Sequence, residues 1–332
     1  MRRGIKDKMV ENYYITSNGK LIRKENTVYF TSKEGKRAIP IKRIASIFLF
    51  GNVTLTSGVV KILFNHNIPV HIFTKYGRYM GSYYPNEKYL AGQLLVQQVK
   101  HYISFRKRNA IAKKIVEGGA RNMLMNCRRY KQSDCVERII SLLEVLARTY
   151  WNTKIMHIEA MIRETYYQMF DNILPDDFKF EKRSRHPPHN EFNAMLSMGN
   201  SLLYTATLSE IYQTRMNPMI SYLHEPYERR FSLSLDIADV FKPVIVDRLL
   251  FSLVLKGIIQ PKHFRKSENA CYLNNEGRRL FLAHFDKRLR ETIHLKEQKK
   301  NVSYKRLIRL EIYKLMKHVS GEKEYEPFVI DW

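Results

Sequence analysis

Short apolar runs separated by turn signals fill the N-terminal part of the chain. Apolar and polar residues alternate between Tyr13 and Tyr84, in runs such as T-V-Y-F-T and I-P-V-H-I-F-T, which is typical of strands. Asn18-Gly19 predicts a hairpin, and Gly35 is expected to turn the chain again. Ser57 is placed to cap a short helix over residues 58–65. These patterns predict a small β-rich domain.

Beyond residue 90 the apolar residues recur with the period of a helix. The predicted helical segments are Leu90–Ala120, Arg121–Lys131, Cys135–Tyr150, Lys154–Asp171 and 191–208. A further helix runs through F-K-P-V-I-V-D-R-L-L-F-S-L-V-L, where Pro243 is expected to kink or restart it. We find no internal repeat and no low-complexity tract.

The expected fold class is α+β with two domains, a small N-terminal β-rich domain followed by a larger all-α C-terminal domain. The predicted layout is a charged leader at 1–12, the β-rich domain at 13–84, a linker at 85–90, the helical domain at 91–320 and an acidic tail at 321–332. A length of 332 residues suits two domains. The acidic tail is interpreted as a loose segment or a partner-binding segment.

The charge of the chain narrows the class of partner. Lys plus Arg total 57 against 32 Asp plus Glu, a formal net charge of +25. Such an excess favours a polyanion, either nucleic acid or an anionic membrane surface. No apolar run in the sequence is long enough to span a bilayer, so nucleic acid is the preferred partner and no membrane is expected.

Cysteines and the first residues indicate the compartment. The three cysteines form no C-x-x-C pair, so a disulfide framework or a structural zinc site is not expected. The first residues have no apolar core of a signal peptide, and a cytoplasmic location is predicted.

The stretch from Tyr222 to Asp239 holds a candidate cation site. His224 lies in a polar loop, and Asp236 and Asp239 follow at the start of a predicted helix. Residues three apart lie on one helix face, so both carboxylates point the same way, and the imidazole can fold back towards them. Hard or borderline divalent cations take such ligands. The alternative is that acids in a first helical turn only match the helix dipole.

Two other polar residues interrupt apolar helical patterns. Glu159 lies among Ile155, Ile158 and Ile162, where a carboxylate needs an ion pair or a metal. A salt bridge to Arg163 or Arg121 is the alternative to a ligand role. Asn193 is expected either to hold a metal ligand in orientation or to cap a helix.

Taken in order, these motifs resemble one family along nearly the whole chain. They are I-F-L-F-G-N-V-T-L-T-S, N-I-P-V-H-I-F-T-K-Y-G-R-Y-M-G, H-I-E-A-M-I-R-E-T-Y-Y, N-A-M-L-S-M-G, Y-L-H-E and S-L-D-I-A-D-V-F-K-P-V-I-V-D-R. The chain is similar to the CRISPR-associated adaptation integrases, metal-dependent DNA endonucleases that insert spacers into the repeat array. Ala160, Asn200 and Lys242 depart from the family's usual Gly, aromatic and Arg. The ligand types are unchanged.

The resemblance implies the site and its partners. Glu159, His224 and Asp239 would hold a catalytic Mg²⁺ or Mn²⁺, with Asp236 as a fourth ligand or as a carboxylate behind the ligands. The β-rich domain would mediate a homodimer, and two dimers would flank a small ferredoxin-like partner protein. The N-terminal sequence is most similar to the type I-B branch, in which an iron–sulfur nuclease often assists.

The predicted reaction is phosphodiester chemistry on double-stranded DNA without a protein nucleophile. A 3′-hydroxyl of spacer DNA would attack in strand transfer, and water would attack in nicking. The candidates for DNA contact are Lys182, Arg183, Arg185, Asn193, Lys242 and Arg248. The competing hypotheses are a non-catalytic basic nucleic-acid-binding scaffold and a structural dimer module of a larger ribonucleoprotein.

Overall fold

The chain folds into two compact units, Met1–Lys88 and Tyr89–Trp332. The computed structural model describes residues 11–85, 92–226, 231–295 and 299–331. The predicted leader up to residue 10 and the linker from residue 86 onwards lie outside these described residues. The predicted α+β class is confirmed, with a β-rich N-terminal unit and a mostly helical second unit.

Two four-stranded sheets form the N-terminal unit. Its elements are β1 (Glu11–Ile15), β2 (Gly19–Lys24), β3 (Thr27–Ser32), β4 (Gly35–Ile39), β5 (Ile44–Leu49), β6 (Val53–Leu55), α1 (Ser57–Asn65), β7 (Val70–Phe73) and β8 (Tyr79–Tyr83). One sheet has the order β1-β5-β7-β8 and the other β4-β3-β2-β6. Apolar side chains from both sheets and from α1 share one core, which includes Leu21, Ile47, Leu63 and Val70.

The predicted hairpin at Asn18-Gly19 was wrong. Gly19 begins β2, and β1 belongs to the other sheet, so no hairpin joins these two strands. Gly19 N donates to Asn52 O at 3.0 Å, and Asn52 N donates to Asn18 Oδ1 at 2.8 Å. The antiparallel pair is β2–β3, which turns at Glu25 with a positive φ of 53°. Tertiary pairing therefore overrode the strongest local turn signal.

The predicted helix over residues 58–65 is confirmed as α1, but its cap is different. Thr56, not Ser57, occupies the N-cap, and its hydroxyl accepts a hydrogen bond from Val59 N at 3.3 Å. Thr56 has the extended backbone of a capping residue, whereas Ser57 is already helical. The predicted turn at Gly35 is confirmed, since β3 and β4 pair beside it.

The second unit is mostly helical. Its elements are α2 (Gly92–Ile103), α3 (Phe105–Arg129), α4 (Ser133–Ala147), α5 (Asn152–Gln168), α6 (Glu191–Ile211), α7 (Leu233–Phe241), a π-helical segment (Lys242–Asp247), α8 (Arg248–Leu255), β9 (Phe264–Ser267), β10 (Ala270–Leu273), α9 (Asn275–Arg290), β11 (Thr292–Leu295), β12 (Lys300–Ser303) and α10 (Tyr304–Val319). The prediction of an all-α domain missed two hairpins, β9–β10 and β11–β12, whose four-residue strands are too short to give a periodic signal. No described helix is long and apolar enough to cross a membrane.

Helix boundaries near the N-terminus of this unit differ from the prediction. The helix is interrupted at Ser104, the N-cap of α3, which lies inside the predicted segment Leu90–Ala120. The predicted break after Ala120 is absent, because α3 continues through Gly118 and Gly119. A Cβ at Gly119 would lie 3.1 Å from Asp239 O, so this glycine lets α7 pack closely against α3.

The C-terminal segment is not a loose tail. Tyr325, Phe328 and Ile330 are buried, and Phe328 stacks on Phe241 of α7 with ring centroids 5.4 Å apart. Tyr325 OH donates to Glu311 Oε1 at 2.7 Å. The prediction from acidic composition overlooked the apolar side chains between the charges, which anchor the segment on the helical core.

Candidate metal centre

The helix that carries Asp236 and Asp239 runs through the middle of the unit. Every residue of α7 is buried, as are Lys242–Asp247 of the π-helical segment. Pro243 lacks a backbone donor and lies in the π-helical segment. Two amides of α3 bind carbonyls on this irregular stretch, since Asn122 donates to Val240 O at 2.8 Å and Asn126 donates to Pro243 O at 2.9 Å. The irregular helix is thereby fixed directly behind Asp239.

Asp236 organises the loop that carries His224. Its Oδ2 accepts hydrogen bonds from Tyr222 N at 2.7 Å and Leu223 N at 3.1 Å, and its Oδ1 accepts one from His224 N at 3.1 Å. The same Oδ1 lies 2.8 Å from His224 Nδ1. With these contacts made, the fully buried Asp236 is placed behind the ligands and not among them.

The contact with Asp236 sets the tautomer of His224. When Nδ1–H donates to the carboxylate, Nε2 carries the lone pair, the arrangement that metal-binding histidines use. Nε2 lies 4.0 Å from Asp239 Oδ2. Burial lowers the pKa of His224, but the hydrogen bond to Asp236 and the charge of Asp239 outweigh burial and raise the pKa.

Asp239 is a buried carboxylate with two cations beside it. Its Oδ1 contacts Lys242 Nζ and lies 3.6 Å from Arg163 Nη2. Burial alone would raise the pKa of Asp239, but the charges of Lys242, Arg163 and His224 lower it to about 2. The carboxylate is therefore ionised at neutral pH.

Glu159 reaches the same centre from α5. Arg163, one turn further along, contacts Glu159 Oε1 through Nη2 and through Nε, the latter at 2.7 Å. The ion pair with Arg163, the alternative considered from the sequence, is therefore present. Because Arg163 also lies beside Asp239, one guanidinium joins the two carboxylates. Glu159 and Asp239 thus share Arg163, while Lys242 and His224 lie beside Asp239.

The donor set of this cluster fits a divalent cation. It offers two carboxylates and one imidazole nitrogen, ligands that Mg²⁺ and especially Mn²⁺ accept. Asp239 Oδ1 is buried and accepts no well-aligned hydrogen bond, although the Lys242 ammonium touches it. In the arrangement shown, no three His, Cys, Asp or Glu side chains among the described residues lie close enough together to bind one ion. Arg163 pairs with both Glu159 and Asp239 instead, and Lys242 contacts Asp239.

The predicted DNA contacts fall into two groups. Lys182 and Arg185 are exposed and remain candidates. Asn193 is fully buried: its Oδ1 accepts from Ser184 N at 3.0 Å and its Nδ2 donates to Lys182 O at 2.9 Å, so direct DNA contact by Asn193 is excluded in this conformation.

Three cations of the predicted set serve the protein interior. Arg183 donates to Asn193 Oδ1 at 2.8 Å and to Ser197 Oγ at 3.0 Å, which fixes the segment before α6 on that helix. Lys242 contacts Asp239 and lies over the Tyr204 ring. Arg248 Nε donates to Asn126 Oδ1 at 2.7 Å. These contacts give the partly buried charged groups of all three side chains partners within the protein, and their contact with DNA stays a prediction.

Sequence reasoning missed a polar network behind the centre. Asn126 Nδ2 donates to Tyr166 OH at 2.7 Å, and Tyr166 lies beside the buried Asp247. Burial raises the pKa of Asp247 to about 7, although the charge of Arg163 and the hydrogen bond with Tyr166 lower it. The available signal was the pair Asn122 and Asn126, two amides one turn apart in an otherwise apolar stretch of α3.

Comparisons with known proteins agree over most of the chain. The family model for "CRISPR associated protein Cas1" matches residues 13–287. A CRISPR-associated protein Cas1 of Methanobrevibacter ruminantium is 48% identical over 97% of this chain and 99% of its own length. The CRISPR-associated endonuclease Cas1 of Methanocaldococcus jannaschii is 46% identical over 95% of this chain and 97% of its own.

A solved structure is similar to this chain in its overall fold. The Cas1 protein of Thermotoga maritima superposes with a TM-score of 0.88 at 39% identity, over 95% of this chain and 99% of that one. With the family model matching well over half of the chain and relatives above 40% identity along it, the chain belongs to the Cas1 family of CRISPR-associated proteins.

Proposed function

We propose that this chain is a divalent-metal-dependent DNA endonuclease and integrase that inserts spacer DNA into a CRISPR array. Glu159, His224 and Asp239 would hold the Mg²⁺ or Mn²⁺. When bound, the ion supplies polarisation of the scissile phosphate and stabilisation of the leaving 3′ oxygen. The attacking group would be a DNA 3′-hydroxyl in strand transfer or water in nicking.

The residues around the ligands have separate tasks. Asp236 holds the His224 ring and the backbone before it, so that Nε2 faces Asp239. Burial alone would raise the pKa of Asp239, but the charges of Lys242 and Arg163 lower it, and Arg163 also pairs with Glu159. No serine, cysteine or tyrosine hydroxyl or thiol is needed as a nucleophile in this scheme.

One observation carries the proposal. Arg163 links Glu159 to Asp239, and His224 Nε2 lies 4.0 Å from Asp239 Oδ2, so side chains distant in the sequence belong to one network inside a protein of net charge +25. A scaffold that only bound DNA through surface charge would not require buried carboxylates, which are unfavourable unless paired.

Three variants test the site. Glu159→Ala, His224→Ala and Asp239→Ala should each lower strand transfer of a labelled 3′-hydroxyl donor by at least about 100-fold, the effect of removing one preorganised electrostatic group. Their affinity for duplex DNA should stay close to that of the parent. Mn²⁺ should raise the melting temperature of the parent protein but not of the variants.

Glu164→Gln is the matched control, because Glu164 is exposed on the same helix. It should retain both strand transfer and stabilisation by Mn²⁺. Full activity in the Glu159 or His224 variant would contradict the proposal. If the protein binds DNA but Mn²⁺ does not raise its melting temperature, the non-catalytic scaffold would be favoured instead.

The partners remain part of the proposal. We expect a homodimer formed through the N-terminal unit, a small ferredoxin-like adaptation protein between dimers, and double-stranded DNA as substrate. Light scattering after size-exclusion chromatography tests the dimer. Strand transfer with and without the small partner tests whether the isolated chain is sufficient.

A further inference from the structure

Two of the three cysteines lie in contact inside the helical unit. Cys127 belongs to the last turn of α3 and Cys135 to the first turn of α4, and their Sγ atoms are 2.7 Å apart. The two sulfurs are not bonded to each other, since all three cysteines of the chain are free. A disulfide joins its sulfurs at about 2.05 Å, so a shift of about 0.7 Å would bring this pair to bonding distance.

The turn between the two helices holds the sulfurs together. Gln132 N donates to Cys127 O at 2.9 Å, and Lys131 N donates to Arg128 O at 3.1 Å. These are the two hydrogen bonds of a Schellman motif, and Lys131 has the left-handed backbone that this motif requires, with a φ of 55°. The contact of the sulfurs is therefore fixed by backbone hydrogen bonds, and a bond between them requires no rearrangement of the helices.

The two thiols differ in exposure and in acidity. Cys135 is 7% exposed, whereas Cys127 is fully buried. The hydrogen bond from Cys127 lowers the pKa of Cys135, although burial raises it. The same hydrogen bond and burial both raise the pKa of Cys127. Cys135 also lies in the first turn of a 15-residue helix, where the helix dipole favours a thiolate. Cys135 is therefore the more reactive sulfur, and Cys127 is placed to bond with it.

The proposed metal centre makes no use of this pair, but the pair lies among the helices that support the centre. Cys127 directly follows Asn126, whose amide donates to Pro243 O at 2.9 Å. Cys135 Sγ lies 3.9 Å from Thr165 O of α5, the helix that carries Glu159. A bond between the two sulfurs would thus tie α3 to α4 beside α5.

We propose that Cys127 and Cys135 form an oxidisable dithiol that hydrogen peroxide converts to a disulfide, which ties α3 to α4. Cys135 is the attacking sulfur and Cys127 the resolving sulfur. Neither is a ligand of the metal, so their oxidation is independent of the function proposed above.

The reaction has two steps. The Cys135 thiolate attacks one oxygen of hydrogen peroxide, the O–O bond breaks, and the departing hydroxide takes up the proton that Cys135 released, which leaves a sulfenic acid on Cys135. The sulfur of Cys127 then attacks Cys135 Sγ, and the S–O bond breaks as the Cys127 proton and the hydroxyl leave together as water. Overall the two thiols lose two hydrogens, and one peroxide is reduced to two molecules of water.

Thiol counting tests whether the disulfide forms. The reduced chain has three thiols, and two of them should disappear after brief treatment with hydrogen peroxide and return with dithiothreitol. Because Arg128, Arg129 and Lys131 lie between the two cysteines, trypsin should release them on separate peptides joined by the disulfide. Survival of all three thiols, or a linkage that includes Cys271, would overturn the inference.

Thermal unfolding followed by tryptophan fluorescence measures what the bond does, because both tryptophans belong to the helical unit. Oxidation of the natural chain should raise the melting temperature by about 5–10 °C, the shift expected when a disulfide closes a short loop in a unit of this size. Dithiothreitol should reverse the shift, which separates it from methionine oxidation. The comparison uses one protein in two redox states and needs no variant to fold. An unchanged or lower melting temperature would overturn the inference.

Serine variants separate the two roles. In Cys127→Ser, peroxide should leave Cys135 as a sulfenic acid, which a dimedone probe labels. In Cys135→Ser, the same treatment should leave Cys127 unlabelled. Cys271→Ala is the matched control, because Cys271 is also buried but belongs to β10, and this variant should keep both the disulfide and the rise in melting temperature. Equal labelling of the two serine variants would contradict the roles assigned to the two sulfurs.

Discussion

The two units bury polar groups very differently. Among its described residues, the N-terminal unit buries Ser46 and His71 but no Asp, Glu, Lys or Arg. The helical unit buries charged side chains at Glu191, Glu210, Asp236, Asp239, Lys242, Asp247, Arg278, Asp286 and Glu311. The core of the N-terminal unit thus consists of apolar side chains between two sheets. The core of the helical unit also contains ion pairs and side-chain amides that bind backbone carbonyls.

The difference shows that the two cores are stabilised in different ways. Apolar burial stabilises a core without further conditions, whereas a buried charge is unfavourable unless it is paired. The buried charges of the helical unit therefore have partners both at the candidate centre and away from it, as where Glu311 accepts a hydrogen bond from Tyr325 OH. Four substitutions, taken from the largest expected effect to the smallest, test this contrast.

Asn122→Ala should have the largest effect on stability. Asn122 Nδ2 donates to Val240 O and Phe328 O, and its Oδ1 accepts from Ile330 N at 2.9 Å. Removal leaves three buried backbone groups without partners, each worth about 1–3 kcal/mol, so we expect a loss of about 4 kcal/mol. Denaturant unfolding followed by tryptophan fluorescence measures it, because both tryptophans belong to the helical unit. Arg121→Ala, an exposed neighbour, should change the free energy of unfolding by less than about 0.5 kcal/mol.

Leu21→Ala should destabilise the N-terminal unit by about 3 kcal/mol, since a fully buried leucine leaves a cavity. Amide hydrogen exchange in β2 should accelerate, while the fluorescence transition of the helical unit stays in place. Lys20→Ala in the same strand is exposed and should be neutral. An equal shift of the fluorescence transition would show that the two cores unfold together and would weaken the contrast.

Asp236→Asn should lower Mn²⁺ affinity and strand transfer by about 10-fold to 100-fold, which corresponds to about 1.4–2.7 kcal/mol. The amide can no longer accept hydrogen bonds at both of its ends, so the loop and the ring of His224 lose their orientation. Mn²⁺ titration and strand-transfer rates measure the change. Asp134→Asn on the exposed first turn of α4 is the control. Unchanged metal affinity would show that Asp236 does not orient His224.

Thr56→Ala should cost about 1 kcal/mol, the usual worth of a helix N-cap. Ser57→Ala should be close to neutral, because Ser57 is the first helical residue and makes no cap contact. Thermal unfolding of both variants decides between the cap found in the structure and the cap predicted from the sequence. A larger loss in Ser57→Ala would contradict the structural assignment.

The sequence singled out the residues of the candidate centre more readily than their surroundings, and their role as metal ligands stays a prediction. Glu159, His224, Asp236 and Asp239 were visible because each is a polar residue in an apolar or motif-bearing context. Their separate roles could not be predicted, because Asp236 differs from Asp239 through its hydrogen bonds to the backbone of the His224 loop. The roles of Asn122 and Asn126 depend on carbonyls more than a hundred residues away.

Surface predictions were weaker for a related reason. A basic residue in a loop has the same sequence signal whether it faces solvent or an amide, so Lys182 and Arg183 were indistinguishable until the structure placed Arg183 against Asn193. The C-terminal segment was misread in the same way, because its acids were counted and its buried Tyr325 and Phe328 were not weighed.

By itself the sequence determined the α+β class, the basic character of the chain, its family resemblance and the chemical types of the candidate ligands, because periodicity, charge and motifs are local properties. The tertiary structure alone decided that Arg163 joins Glu159 to Asp239 and that amides of α3 hold the helix behind them. These contacts arise between residues far apart in the chain, so their free energies exist only once packing has brought the partners together.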